Sequence, residues 1–252
     1  MKNKNLPGLE DLVGLRRDLK NYMLISYSHH FIFFHVAKVA GLSIRNALEP
    51  YVQEPEKFKI RRPPKTLGDK PNPLYEMWES FLIHAKAKDA KQELPDDIYN
   101  NFYKFAFVRN PWDWQVSMYH FILKETSHIR YKLVKSMTSF EEYLEWIINT
   151  KKPYAKGATK FQKDMITDND GNLIVDFVGK YETLAQDFQH ICKIINIKAS
   201  LPSINRTLHR DYKSYYNDKT KKMVEEHFKE DIELFGYTFD NYFPDVVQIP
   251  NK

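Results

Sequence analysis

Three short apolar runs, each followed by a turn signal and helix-type sequence, constrain this chain more than any other feature. FIFFHV (31–36) is nearly continuous and rich in aromatics, YKFAFV (103–108) repeats the pattern, and NLIVDFV (172–178) follows the turn dipeptide Asp170-Gly171. A half-exposed strand alternates apolar with polar residues, so a continuous run marks a strand buried on both faces. Helical sequence follows each run: about Leu42 to Leu48, then WDWQVSMYHFIL (112–123) with Pro111 near its start, then ETLAQDFQHICKII with a cap at Thr183 to Gln186. Strands alternating with helices predict an α/β fold. Its mainly parallel central sheet is flanked by helices, and ligands sit beyond the carboxyl ends of the strands. Further helices are predicted over AKAKDAKQEL (85–94), after a Ser139 to Glu142 capping box, and from about Asp218 to Leu234, stopping before Gly236.

No composition shift divides the 252 residues, so one domain is expected over 30–240, with an N-terminal extension at 1–29 and a tail at 241–252. Residues 50–73 carry Pro50, Pro55, Pro63, Pro64, Pro71 and Pro73 and read as a long surface excursion. The balance of 38 Lys+Arg against 33 Asp+Glu is a net +5, too mild and too scattered to point to nucleic acid, though it suits a cleft for anions. Cys192 is the single cysteine, which excludes an intramolecular disulfide and fits a reducing compartment. Residues 21–37 hold no Lys, Arg, Asp or Glu, but Asn21, Ser26, Ser28, His29, His30 and His35 make them too polar to span a bilayer. The first residues, MKNKNLPGLEDL, lack a signal-type apolar stretch, so a cytoplasmic location is expected.

The stretch FFHVAKVAGLSIRN (33–46) stops a strand at a tight turn and feeds a helix, with Lys38 in the turn. Backbone N–H groups at a helix start converge on one spot and attract phosphate. A nucleoside triphosphate P-loop places its lysine after the glycines in G-x-x-x-x-G-K-[ST], whereas Lys38 precedes Gly41. At the second strand end, Arg109 offers a planar fork to phosphate oxygens and Ser117, eight residues on, a hydroxyl from the next helix.

HVAKVAGLS resembles the 5′-phosphosulfate loop of sulfotransferases that use 3′-phosphoadenosine 5′-phosphosulfate (PAPS), and FAFVRNPWDWQVSMYHF resembles their 3′-phosphate segment. The likeness continues through VDFVGKYETLAQDF, LPSINRTLHRDYKSYYND and EDIELFGYTF, and is closest to the membrane-free, carbohydrate-type branch. It implies a P-loop-kinase-like sulfotransferase architecture and transfer of a sulfuryl group from PAPS to a hydroxyl or amine, on a carbohydrate, without a metal. It also implies that Lys38, Val39, Ala40, Gly41, Leu42 and Ser43 hold the 5′ side, and that Arg109 and Ser117 hold the 3′-phosphate. Arg206 and Thr207, in an Asn-x-Ser-like loop beginning at Asn205, join them near the nucleotide. Family members often carry Pro, Gly and Thr where Ala37, Ala40 and Leu42 stand, and Leu42 removes a hydroxyl contact to phosphate. His84, before a helix and upstream of the Arg109 segment, resembles the catalytic histidine, and a base is needed because an attacking hydroxyl must lose its proton.

His35 is the rival base but lies within the strand, expected to pack behind Lys38. Trp112, Trp114, Tyr119 and Phe121 stand at helical spacing, as core residues or as stacking partners for adenine or sugar. Glu182 reads as a helix-start residue satisfying backbone donors. Two alternatives stand beside this reading: a nucleotide kinase of similar architecture, against which the missing GK[ST] and the lack of an obvious magnesium-binding acid after a strand both count, and a module that binds nucleotide without turnover, suggested by the altered first loop. Acceptor identity and oligomeric state have no readable code in the chain.

Overall fold

A computed structural model of the chain describes residues 23–52, 66–72, 83–154, 158–202 and 210–240. Its centre is a four-stranded sheet in which β1 (Leu24–Ser26) pairs antiparallel with β2 (Phe31–Phe34), while β2, β5 (Tyr103–Val108) and β6 (Phe177–Lys180) run parallel. The register sets Phe33 beside Phe105 and Phe105 beside Phe177. β2 is buried along its whole length, and β5 everywhere but Tyr103, as continuous apolar runs require. Between them, β3 (Thr66–Leu67) and β4 (Lys70–Pro71) form an exposed hairpin within the predicted excursion, of which residues 53–65 lie outside the described residues.

Each parallel strand leads into a helix: β2 into α1 (Gly41–Leu48), β5 into α4 (Pro111–Lys124) and β6 into α7 (Leu184–Ile194). The remaining helices are α2 (Ala87–Glu93), α3 (Asp96–Asn101), α5 (Tyr131–Lys135), α6 (Phe140–Asn149), α8 (Asp218–His227) and α9 (Lys229–Phe235). Pro111 occupies the first turn of α4, where a missing N–H has no intrahelical partner to lose, and the Asn110 side chain accepts from Trp112 N–H at 3.0 Å. α8 is fastened to that end of α4: Trp112 Nε1 donates to the Lys221 carbonyl at 3.0 Å, and Tyr216 Oη to the Trp112 carbonyl at 2.8 Å.

Four local expectations are corrected. The third strand begins at Phe177, five residues later than NLIVDFV suggests, because the stretch before it turns back in an isolated Thr167–Leu173 bridge and the paired register with β5 starts at Phe177. The predicted final helix is two helices, broken at Phe228 (φ −103°, ψ 22°), a fully buried ring packed on Phe161. Thr183 does not cap α7 with its side chain; its hydroxyl donates to Asp187 Oδ2 at 2.8 Å, and Asp187 accepts the Lys180 amide at 2.7 Å. Ser139 does accept from Glu142 N–H at 3.1 Å, but Glu142 returns to the Thr138 amide at 2.8 Å, one residue short of a true capping box.

Candidate active site

The turn between β2 and α1 is tightly bent. Lys38 and Ala40 both take left-handed backbone conformations, at φ 64° and 60°, each costing about 1 kcal/mol or more in a residue with a Cβ. Consecutive amides around such residues curl into an anion-binding concavity, and at the start of α1 the first helical bond is Ile44 N–H to the Ala40 carbonyl, at 3.1 Å. The left-handed position of Ala40 accounts for the glycine common there in sulfotransferases. Gly41 has another reason: a Cβ there would stand 1.8 Å from His35 Nε2, so the His35 ring forms the floor beneath the turn. Leu42 is 53% exposed at the mouth, and Ser43 is buried.

The second motif closes on the first. Trp114 Nε1 donates to the Ala37 carbonyl at 2.7 Å, and Arg109 Nη1 to the Lys38 carbonyl at 3.3 Å. Arg109 is held on several sides. Its Nε pairs with Asp113 Oδ2 at 2.7 Å, its guanidinium lies 4.1 Å over the Tyr181 ring, and its backbone is gripped by Gln162, which accepts from the N–H at 2.9 Å and donates to the carbonyl at 2.7 Å. Glu182 accepts from Asn110 N–H at 2.7 Å and Tyr237 Oη at 2.8 Å, and burial pushes its carboxyl above the usual carboxylate range. It does satisfy backbone donors, at the start of α4 as well as in its own turn. Ser117 lies two helical steps beyond Arg109, past Asp113, and its hydroxyl is buried without a hydrogen-bond partner.

Lys38 Nζ rests 4.3 Å over the Phe121 ring. Burial, reinforced by Arg109 and Lys124, pulls its ammonium down to about 8. His84 sits in the turn before α2, with Nδ1 3.0 Å from the His35 carbonyl. A carbonyl only accepts, so Nδ1 carries the hydrogen, and in the neutral ring Nε2 carries the lone pair. Burial lowers the His84 pKa and lowers that of His35 further, so both rings are neutral near pH 7. The rings lie 5.0 Å apart, which puts His35 beneath Gly41 and beside His84.

The helical aromatics are mostly core. Trp112 and Trp114 are buried, and Tyr119 packs 5.0 Å from Tyr143; Phe121 faces Lys38. Cys192 is buried as well. Arg206 and Thr207 lie outside the described residues. Asp113, Gln162 and Tyr181 carried no reading in the sequence, and Asp231 read only as one position of the final helix's periodicity; Tyr181 had a signal in its place beside Glu182 in KYETL.

Among the described residues no helix is long and apolar enough to cross a membrane, and no group of three or more His, Cys, Asp or Glu is arranged to hold a metal ion. No curated protein and no solved structure gives a match. The model of the Sulfotransferase family matches residues 21–238, which spans the sheet, the turns after β2 and β5 and His84, and the chain belongs to that family.

Proposed function

We propose that the sulfuryl donor is PAPS and that the acceptor is a hydroxyl or amine of a carbohydrate. The observation that carries the donor reading is the Ser117 hydroxyl, buried and unpartnered on the same helical row as Arg109 and Asp113. An orphaned buried hydroxyl costs about 1–3 kcal/mol, an expense explained if a 3′-phosphate oxygen accepts from it beside the Arg109 guanidinium. The bent turn at 38–43 and the start of α1 would hold the 5′-phosphate through backbone N–H groups. The carbohydrate acceptor rests on the likeness to the carbohydrate-type branch. A lone, buried Cys192 suits a reducing compartment such as the cytoplasm.

PAPS supplies an activated sulfuryl group on a good leaving phosphate. His84 Nε2 takes the proton of the acceptor hydroxyl as the new O–S bond forms, while its Nδ1–H stays on the His35 carbonyl and fixes the ring. Lys38 answers the negative charge that grows on the 5′-phosphate oxygen as the old S–O bond breaks, leaving 3′-phosphoadenosine 5′-phosphate, a sulfated acceptor and a proton on His84. Positioning and charge stabilisation account for the catalysis.

Calorimetry with 3′-phosphoadenosine 5′-phosphate and AMP tests the donor. The first should bind much more tightly, and Arg109→Ala should bring the two to nearly equal, weak affinities, since it removes a charge-assisted contact to the 3′-phosphate. Equal affinities on the unmodified chain, or tighter binding of ATP with magnesium, would overturn it. Mass spectrometry of products from a glycan, lipid and phenol panel identifies the acceptor class.

A further inference from the structure

Past Val108, the last residue paired with β6, no strand among the described residues pairs with the chain at Arg109. The side-chain amide of Gln162 takes the strand's place. It accepts from Arg109 N–H at 2.9 Å and donates to Arg109 C=O at 2.7 Å, the double exchange that a hydrogen-bonded pair makes in an antiparallel ladder. Gln162 is itself templated: its own N–H and that of Lys163 donate to Asp231 Oδ2 and Oδ1, at 2.8 and 2.9 Å, from the first turn of α9. Gln162 and Asp231 are both fully buried, so water cannot replace these bonds if one is removed. The two bonds that Gln162 makes to Arg109 are both to backbone.

We infer that Gln162 is a positioning residue for 3′-phosphate recognition, setting the backbone of Arg109 so that its guanidinium meets the phosphate in register. The role rests on the nucleotide reading above. Misplacement of a binding group by about 1 Å is enough to lose up to 10²-fold. Gln162→Met keeps the length and burial of the side chain but loses both bonds, and the Arg109 backbone then lacks the amide that sets it, while its side chain keeps the Asp113, Tyr181 and Lys38 contacts.

The test measures dissociation constants of 3′-phosphoadenosine 5′-phosphate and AMP by calorimetry on wild type, Gln162→Met, Arg109→Ala and the double variant. Gln162→Met should weaken the bisphosphate by about tenfold or more and AMP by less than about threefold. In the Arg109→Ala background it should leave their ratio unchanged, since it acts through that guanidinium. A purely structural role would weaken both ligands alike, and that result, or an unchanged ratio in the single variant, overturns the inference. A wild-type chain without preference for the bisphosphate overturns the nucleotide reading itself, and the positioning role with it. Should Gln162→Met not fold, Gln162→Glu is read in the same way: its carboxylate still accepts from Arg109 N–H but opposes the Arg109 carbonyl.

Discussion

Gly41→Ala sets two physical rules against each other at the centre of the site. Gly41 opens α1 and has no positive φ, so its backbone accepts alanine. By propensity and unfolded-state entropy the substitution should stabilise by about 0.4–1 kcal/mol. The new Cβ, however, would lie 1.8 Å from His35 Nε2, 2.1 Å from Cδ2 and 2.8 Å from Cε1. Carbon contacts settle near 3.5–4.0 Å, so ring or turn must give by about 2 Å. The ring has little room, with Phe33 stacked at 6.0 Å and His84 at 5.0 Å. Overpacking of this kind costs about 1–3 kcal/mol, here towards the upper end, which leaves a net loss of about 2 kcal/mol after the propensity gain. A chain of this size should melt about 4–8 °C lower. Turnover should fall further than stability implies, because the displaced ring presses on His84. Differential scanning calorimetry of Gly41→Ala, His35→Ala and the double variant decides the point. In the His35→Ala background Gly41→Ala should be neutral or stabilising. A higher Tm for Gly41→Ala alone, or an equal loss in both backgrounds, refutes the steric account.

His84→Ala should leave nucleotide affinity within a few-fold and lower single-turnover rates by about 10² to 10⁴; near-normal turnover would move the base elsewhere. The pH profile of kcat/KM should fall on the acid side only below about 6.5, since burial lowers the His84 pKa and the base must be neutral, and on the alkaline side near 8, as Lys38 loses its charge. Lys38→Ala should abolish the alkaline limb and reduce turnover by about 10² or more while weakening nucleotide binding modestly; equal losses in rate and affinity would make Lys38 an anchor only. Asp231, raised by burial to about 7, lies well above its unfolded value, so its protonated form contributes stability that is complete below about pH 4 and lost as pH rises through 7. The Tm advantage of wild type over Asp231→Asn should therefore shrink between pH 4 and 7 and level off above; an advantage that grows over that range contradicts the burial of the carboxyl.

Local chemistry made the frame legible in the sequence. β5 and α4 were readable almost to the residue, because a continuous apolar run and a proline in the first helical turn express their preferences without help from the rest of the chain. The two strand-turn-helix units that carry Lys38 and Gly41, and Arg109 and Ser117, were legible for the same reason. Tertiary packing decided the rest. The start of β6 follows from which residues meet β5, not from the apolar run around them, and the break at Phe228 interrupts a helical periodicity that continues across it. The glycine at position 41 looked like a phosphate-loop feature and proved to be required by a ring six residues earlier in the chain. Gln162 sits 53 positions from the arginine it grips, and Asp231 another 69 from Gln162. Local patterning reads only near neighbours, and an amide that substitutes for a strand, or a carboxylate that holds that amide, acquires its meaning only when folding brings it to the end of β5.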